Sequence, residues 1–80
     1  MIIKILGTGC SKCDRLEKET VNALAELDVK ADVQKITKMS EIMEYDVMMT
    51  PALVINDKVI AAGRVPKNEE LKKIISEESK

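Results

Sequence analysis

Two side chains in this 80-residue chain can do sulfur chemistry, Cys10 and Cys13, and they are its only cysteines. They stand in the stretch Gly7-Thr8-Gly9-Cys10-Ser11-Lys12-Cys13, spaced i and i+3. Residues three apart on a helix share a face at about 5–6 Å. That separation falls within the roughly 4.4–6.8 Å between Cα atoms that a disulfide needs. The pair can therefore make and break a bond with itself. The first turn of a helix also offers unpaired backbone N–H groups and the positive end of the macrodipole. Both favour thiolate over thiol, so a cysteine there is a reactive one. The chemistry indicated is thiol–disulfide exchange, with Cys10 as nucleophile at the mouth of the helix and Cys13, one turn in, as the resolving thiol. Lys12, beside the pair, would help the thiolate, or would be a solvated helix residue. The rival use of two thiolates is to hold a soft metal ion, copper(I) above all. Structural zinc needs four ligands, and with two cysteines and no histidine the chain would have to borrow carboxylates or a second chain. A Cys10–Cys13 bridge closes a tiny loop and constrains the unfolded chain little, so a purely structural role is disfavoured.

The elements around this stretch must place it where a partner can reach it. Ile2-Ile3-Lys4-Ile5-Leu6 is nearly continuous apolar sequence and predicts a central strand. Ser11 to about Leu27 predicts a helix, with Leu16, Thr20, Ala23, Leu24 and Leu27 along one stripe. Val29, Ala31 and Val33 alternate with polar residues and predict a second strand, parallel to the first. Ser40 is the expected N-cap of a short helix carrying Ile42 and Met43, ending near Asp46. Thr50-Pro51 breaks the chain before a third strand, Ala52 to Ile55. Asn56-Asp57-Lys58 is turn chemistry leading to a fourth strand, Val59 to Ala62, closed by Gly63. Pro66 suits the first turn of a last helix with Leu71, Ile74 and Ile75 on its apolar face, and the polar tail from Ser76 is expected to fray. The order is βαβαββα, an α/β chain forming one domain over residues 1–80. The expected sheet is four-stranded and mixed, in spatial order 2-1-3-4, with helices on both faces. The cysteines then lie at the C-terminal end of the central strand, where open α/β sheets carry their sites.

Composition narrows the function further. Thirteen basic and fourteen acidic residues give a net charge of −1, which argues against nucleic acid or an anionic membrane as partner. No apolar run approaches the roughly 20 residues of a membrane span, and the start lacks the pattern of a signal peptide. The expected compartment is the reducing cytoplasm, where a cysteine pair is catalytic or metal-binding more often than structural. Tyr45 is the only aromatic residue, so the core must be aliphatic, with five methionines available as gap-fillers. Met48 and Met49 are candidates for an apolar docking patch or for the core. Lys4 could act on the thiols, but a strand lysine more often snorkels to the sheet end.

Cys10-Ser11-Lys12-Cys13 after the first strand, Thr50-Pro51 before the third and Gly63 before the last helix together resemble the thioredoxin-like fold. The size is that of a glutaredoxin or of the small archaeal and bacterial thioredoxin-like redox proteins. Val47-Met48-Met49-Thr50-Pro51-Ala52-Leu53-Val54-Ile55-Asn56 resembles the latter in particular, and the likeness covers nearly the whole chain. It implies a thiol–disulfide oxidoreductase that needs no bound cofactor, since the Cys10–Cys13 pair is its redox centre. It implies disulfide-containing protein substrates, a separate reductase, and action as a monomer. It also implies that Pro51 follows a cis peptide bond against the cysteine pair, with Thr50 and Pro51 binding an extended substrate segment by strand addition. The chain departs from the family pattern at three places. Gly9 stands where a thioredoxin has Trp, Ser-Lys replaces the usual intervening pair, and Lys4 stands near the place of a buried acid. No residue marks a glutathione site.

Overall fold

The computed structural model describes residues 1–7, 11–47 and 49–79. The elements run β1 (Ile2–Leu6), α1 (Ser11–Leu27), β2 (Asp32–Ile36), α2 (Met39–Met43), β3 (Ala52–Ile55), β4 (Lys58–Ala62) and α3 (Asn68–Glu78). The four strands form one sheet in the order β2-β1-β3-β4, as expected. β1 is parallel to β2 and antiparallel to β3, and β3 is antiparallel to β4.

The central pair holds the rest. All four residues of β3 are buried, because β1 and β4 flank its edges and helices cover both of its faces. On one face Ile3, Ile5, Leu53 and Ile55 pack with Leu16, Ala23 and Leu24 of α1 and Leu71 and Ile75 of α3. On the other, Leu6, Ala52 and Val54 pack with Ile42 of α2, bordered by Ile36, Tyr45 and Val47. Strand alternation divides β1 between the two. Thr20 is the buried polar residue of α1, and its hydroxyl donates to the Leu16 carbonyl at 2.7 Å.

Several boundaries differ from the sequence reading, each for a local reason. β2 begins at Asp32, not Val29. Asp28 adopts a left-handed conformation (φ 54°) after α1, and the Val29 and Asp28 N–H groups bond back to the Leu24 and Ala25 carbonyls. That is a Schellman ending, and it uses Val29 to leave the helix. Strand pairing starts only where Asp32 meets Ile2. α2 is capped by Lys38, not Ser40. Ser40 lies inside the helix, and no side chain caps its start. Asp46 is left-handed (φ 56°), as expected, but closes a turn that follows the helix. Pro66 precedes α3, whose N-cap is Lys67. The tail does not fray at Ser76: α3 runs to Glu78, with the Ser79 N–H bonded to the Ile75 carbonyl.

The β3–β4 hairpin turns on Asn56 (φ 50°) and Asp57 (φ 67°), the two positive angles of a type I′ turn. Asn56 also ties this turn to the start of β1. Its N–H donates to the Ile2 carbonyl at 2.9 Å, and its Oδ1 accepts from the Ile2 N–H at 3.2 Å.

Two isoleucines on β1 test this division of the core. Ile5 is 1% exposed and Ile2 is 47% exposed. Ile5→Ala should cost about 2–5 kcal/mol in urea unfolding, as buried Ile→Ala changes do. Ile2→Ala should cost under about 1 kcal/mol. Equal losses at both positions would contradict the assignment of β1 to the centre of the sheet.

Candidate functional site

One end of the sheet gathers the residues that the cysteine motif and the proline singled out. Leu6 pairs there with Ile36 and Ala52, and Ala52 pairs with Ala62. The Gly7 N–H donates to the Ile36 carbonyl at 3.0 Å, extending the β1–β2 ladder one residue past the strand. α1 begins at Ser11, so Cys13 falls in its first turn. Cys13 is 2% exposed and packs directly against Gly7. A Cβ at residue 7 would overlap Cys13 Sγ and would come within 3.2 Å of Cys13 Cβ. Gly7 is therefore required for a close approach. Cys10 itself, with Thr8 and Gly9, lies outside the described residues, as does the expected Cys10–Cys13 bridge.

The Thr50-Pro51 bond is cis. Pro51 is fully buried and Thr50 half-buried. The Pro51 carbonyl accepts from the Gly63 N–H at 2.8 Å, which ties the residue before β3 to the residue after β4. Gly63 has φ 77°, and a Cβ there would lie 3.0 Å from Met49 Cβ. Met49, whose side chain lies over Gly63, is 64% exposed, so it is no core residue. Met48 lies outside the described residues. Lys12 is exposed on α1.

Two ion pairs join the start of α1 to β2. Lys35 on β2 reaches Asp14 at 3.3 Å and Glu17 at 3.6 Å, and the hydrogen bond to Asp14 chiefly raises the lysine's pKa above its ordinary value. Such exposed pairs contribute little individually, but both draw the same flank of α1 toward β2. Lys4 points to the face covered by α2, where its ammonium donates to the Tyr45 hydroxyl at 2.6 Å and lies 5.4 Å from the ring centroid. That hydrogen bond is the main cause of its raised pKa. α1, with Cys13, covers the opposite face. Tyr45, to which the sequence assigned no role, is thus the partner of Lys4, and no spacing in the sequence signals a contact between strand residue 4 and a turn residue at 45. Among the described residues no group of His, Cys, Asp and Glu side chains could hold a metal ion, and no helix is long and apolar enough to cross a membrane.

Gly7→Ala should destabilise the protein by about 1–3 kcal/mol, the usual cost of forcing extra volume into a packed site. In a Cys13→Ala background the same change should cost much less, giving a coupling above about 0.5 kcal/mol in a double-mutant cycle. Additive losses would mean that the Gly7–Cys13 contact does not position α1.

Comparison with known proteins agrees with this geometry. A family model for the thioredoxin domain matches residues 1–76. A thioredoxin of Methanothermobacter thermautotrophicus is 41% identical over 76 residues, covering 95% of this chain and 99% of its own length. A thioredoxin of Methanocaldococcus jannaschii is 36% identical over 72 residues, covering 90% of this chain and 83% of its own. Matched over this much of its length, the chain belongs to the thioredoxin family of redox proteins.

Proposed function

We propose that the protein is a thiol–disulfide oxidoreductase that reduces disulfides of protein substrates through Cys10 and Cys13. The observation that carries this reading is the position of Cys13: buried in the first turn of α1, against Gly7, at the sheet end that also holds Pro51. A thiol so enclosed is poorly placed to meet a substrate, and a resolving role, attacking a sulfur three residues away in sequence, suits it better. The roles divide accordingly. Cys10 thiolate attacks one sulfur of the substrate disulfide, forming a mixed disulfide and expelling one substrate thiolate. Cys13 thiolate then attacks Cys10 Sγ, forming the Cys10–Cys13 disulfide and releasing the second substrate thiolate. Two electrons pass to the substrate, and a separate reductase returns the pair to the dithiol. No bound cofactor is needed. Thr50 and Pro51 would hold the substrate chain beside the pair, supported by the bond from Gly63 to the Pro51 carbonyl. Lys12 would add positive charge at the mouth of the helix.

Insulin reduction in the presence of dithiothreitol tests the cycle. The wild-type protein should accelerate it, and Cys10→Ser should lower the rate to that of dithiothreitol alone. With dithiothreitol removed after reduction of the protein, Cys13→Ser should leave the first attack intact and accumulate a mixed disulfide with insulin, detected by mass spectrometry. A wild-type protein with no exchange activity that instead binds copper(I) stoichiometrically through both thiols would establish the metal-carrier alternative.

A further inference from the structure

A cleft of about 360 Å³ separates the flank of α1 from the segment entering α3, and Arg15, Glu19, Val65, Pro66, Lys67 and Asn68 line it. It belongs to the same end of the molecule as the redox motif. Arg15 follows Cys13 by two residues on α1, and Val65 follows Gly63, which is bonded to Pro51, by two.

The charges of this end are sorted by side. On the β2 flank of α1, Asp14 and Glu17 are both engaged by Lys35. At the entrance to α3, Arg64 is engaged by both carboxylate oxygens of Glu70, at 3.1 and 2.6 Å. On the cleft side, together with the apolar Val65 and Pro66, Arg15 of α1 and Lys67 at the entrance to α3 both line the cleft. Among the described residues neither takes part in an ion pair. Glu19 is the single carboxylate of the lining, so the cleft keeps a net positive charge.

We infer that this cleft is a specificity subsite for an acidic polypeptide segment flanking the substrate disulfide. This rests on the exchange reading above and names the substrate class it favours. A carboxylate laid between Arg15 and Lys67 would pair with two cations that have no ion-pair partner among the described residues, and would bring the net charge of the lining to zero. The occupant is a polypeptide, not a small molecule, because the cleft is an open trough. Sites for small ligands enclose most of the ligand's surface, whereas an extended chain crossing the trough needs no enclosure. Charge at the rim acts mainly on encounter and on partner choice, and it weakens as salt screens it.

The test compares two disulfide peptides of identical cysteine spacing, one flanked by glutamates and one by glutamines, with glutathione disulfide as a third substrate and dithiothreitol as reductant. The wild-type protein should show a higher kcat/KM for the glutamate peptide, with a preference that shrinks as salt is raised. The ratio of the two kcat/KM values should fall about threefold in Arg15→Glu and in Lys67→Glu, and about tenfold in the double variant. Because the ratio is taken within each variant, any loss of folded protein cancels. A ratio unchanged in the double variant would overturn the subsite. So would an effect confined to glutathione disulfide, which would make the cleft a small-molecule site. If the wild-type protein reduces neither peptide, the exchange reading itself fails and the subsite falls with it.

Discussion

The contact on which the site depends is the seating of Cys13 Sγ against Gly7. A helix can begin this close to the end of a strand only if the strand's next residue has no side chain in the way, and any Cβ at position 7 would overlap the sulfur. The contact fixes two things at once. It sets the height of α1 over the sheet, so that Leu16, Ala23 and Leu24 reach Ile3, Ile5 and Leu53. It also places one thiol of the motif inside the protein.

The sheet is covered unequally, and the inequality matters to the site. α1 and α3 build the larger cluster on one face, while the short α2 covers the other with Ile42 and its neighbours. Lys4 falls on the thinner side, where full burial of an ammonium is avoided and the Tyr45 hydroxyl accepts its hydrogen bond. A lysine in a central strand is expensive to bury without a partner. Here the only aromatic residue supplies that partner, which accounts for a tyrosine in a core otherwise built from aliphatic side chains.

Much of this architecture is legible in the sequence because local and global preferences agree. The apolar run of β1, the stripe on α1 and the Asn56-Asp57 turn each admit one reading, and the strand order follows from them. Thr50-Pro51 and Gly63 punctuate strands, and it is the resemblance to the thioredoxin-like fold that assigns Thr50 and Pro51 to the site. The misplaced boundaries are those where a backbone device outranked the pattern. Val29 reads as strand by alternation but is spent on the Schellman ending that Asp28 permits. Ser40 reads as a cap, yet α2 starts one residue before it. Ser76 reads as a polar tail, yet Ile75 anchors the last helix and Glu78 reaches Lys58 at 3.7 Å. Tertiary pairings such as Lys4 with Tyr45 leave no mark on local spacing at all.

The central claim is that the two cysteines are unequal, one buried and resolving, the other accessible and attacking. Limited alkylation of the reduced protein with iodoacetamide across a pH series, with the label mapped by mass spectrometry, measures this directly. Cys10 should take the label first and should titrate below the ordinary cysteine value of about 8.5, while Cys13 stays protected until the protein unfolds. Preferential labelling of Cys13 in the folded protein, or a Cys10 titration at the ordinary value, would contradict the account.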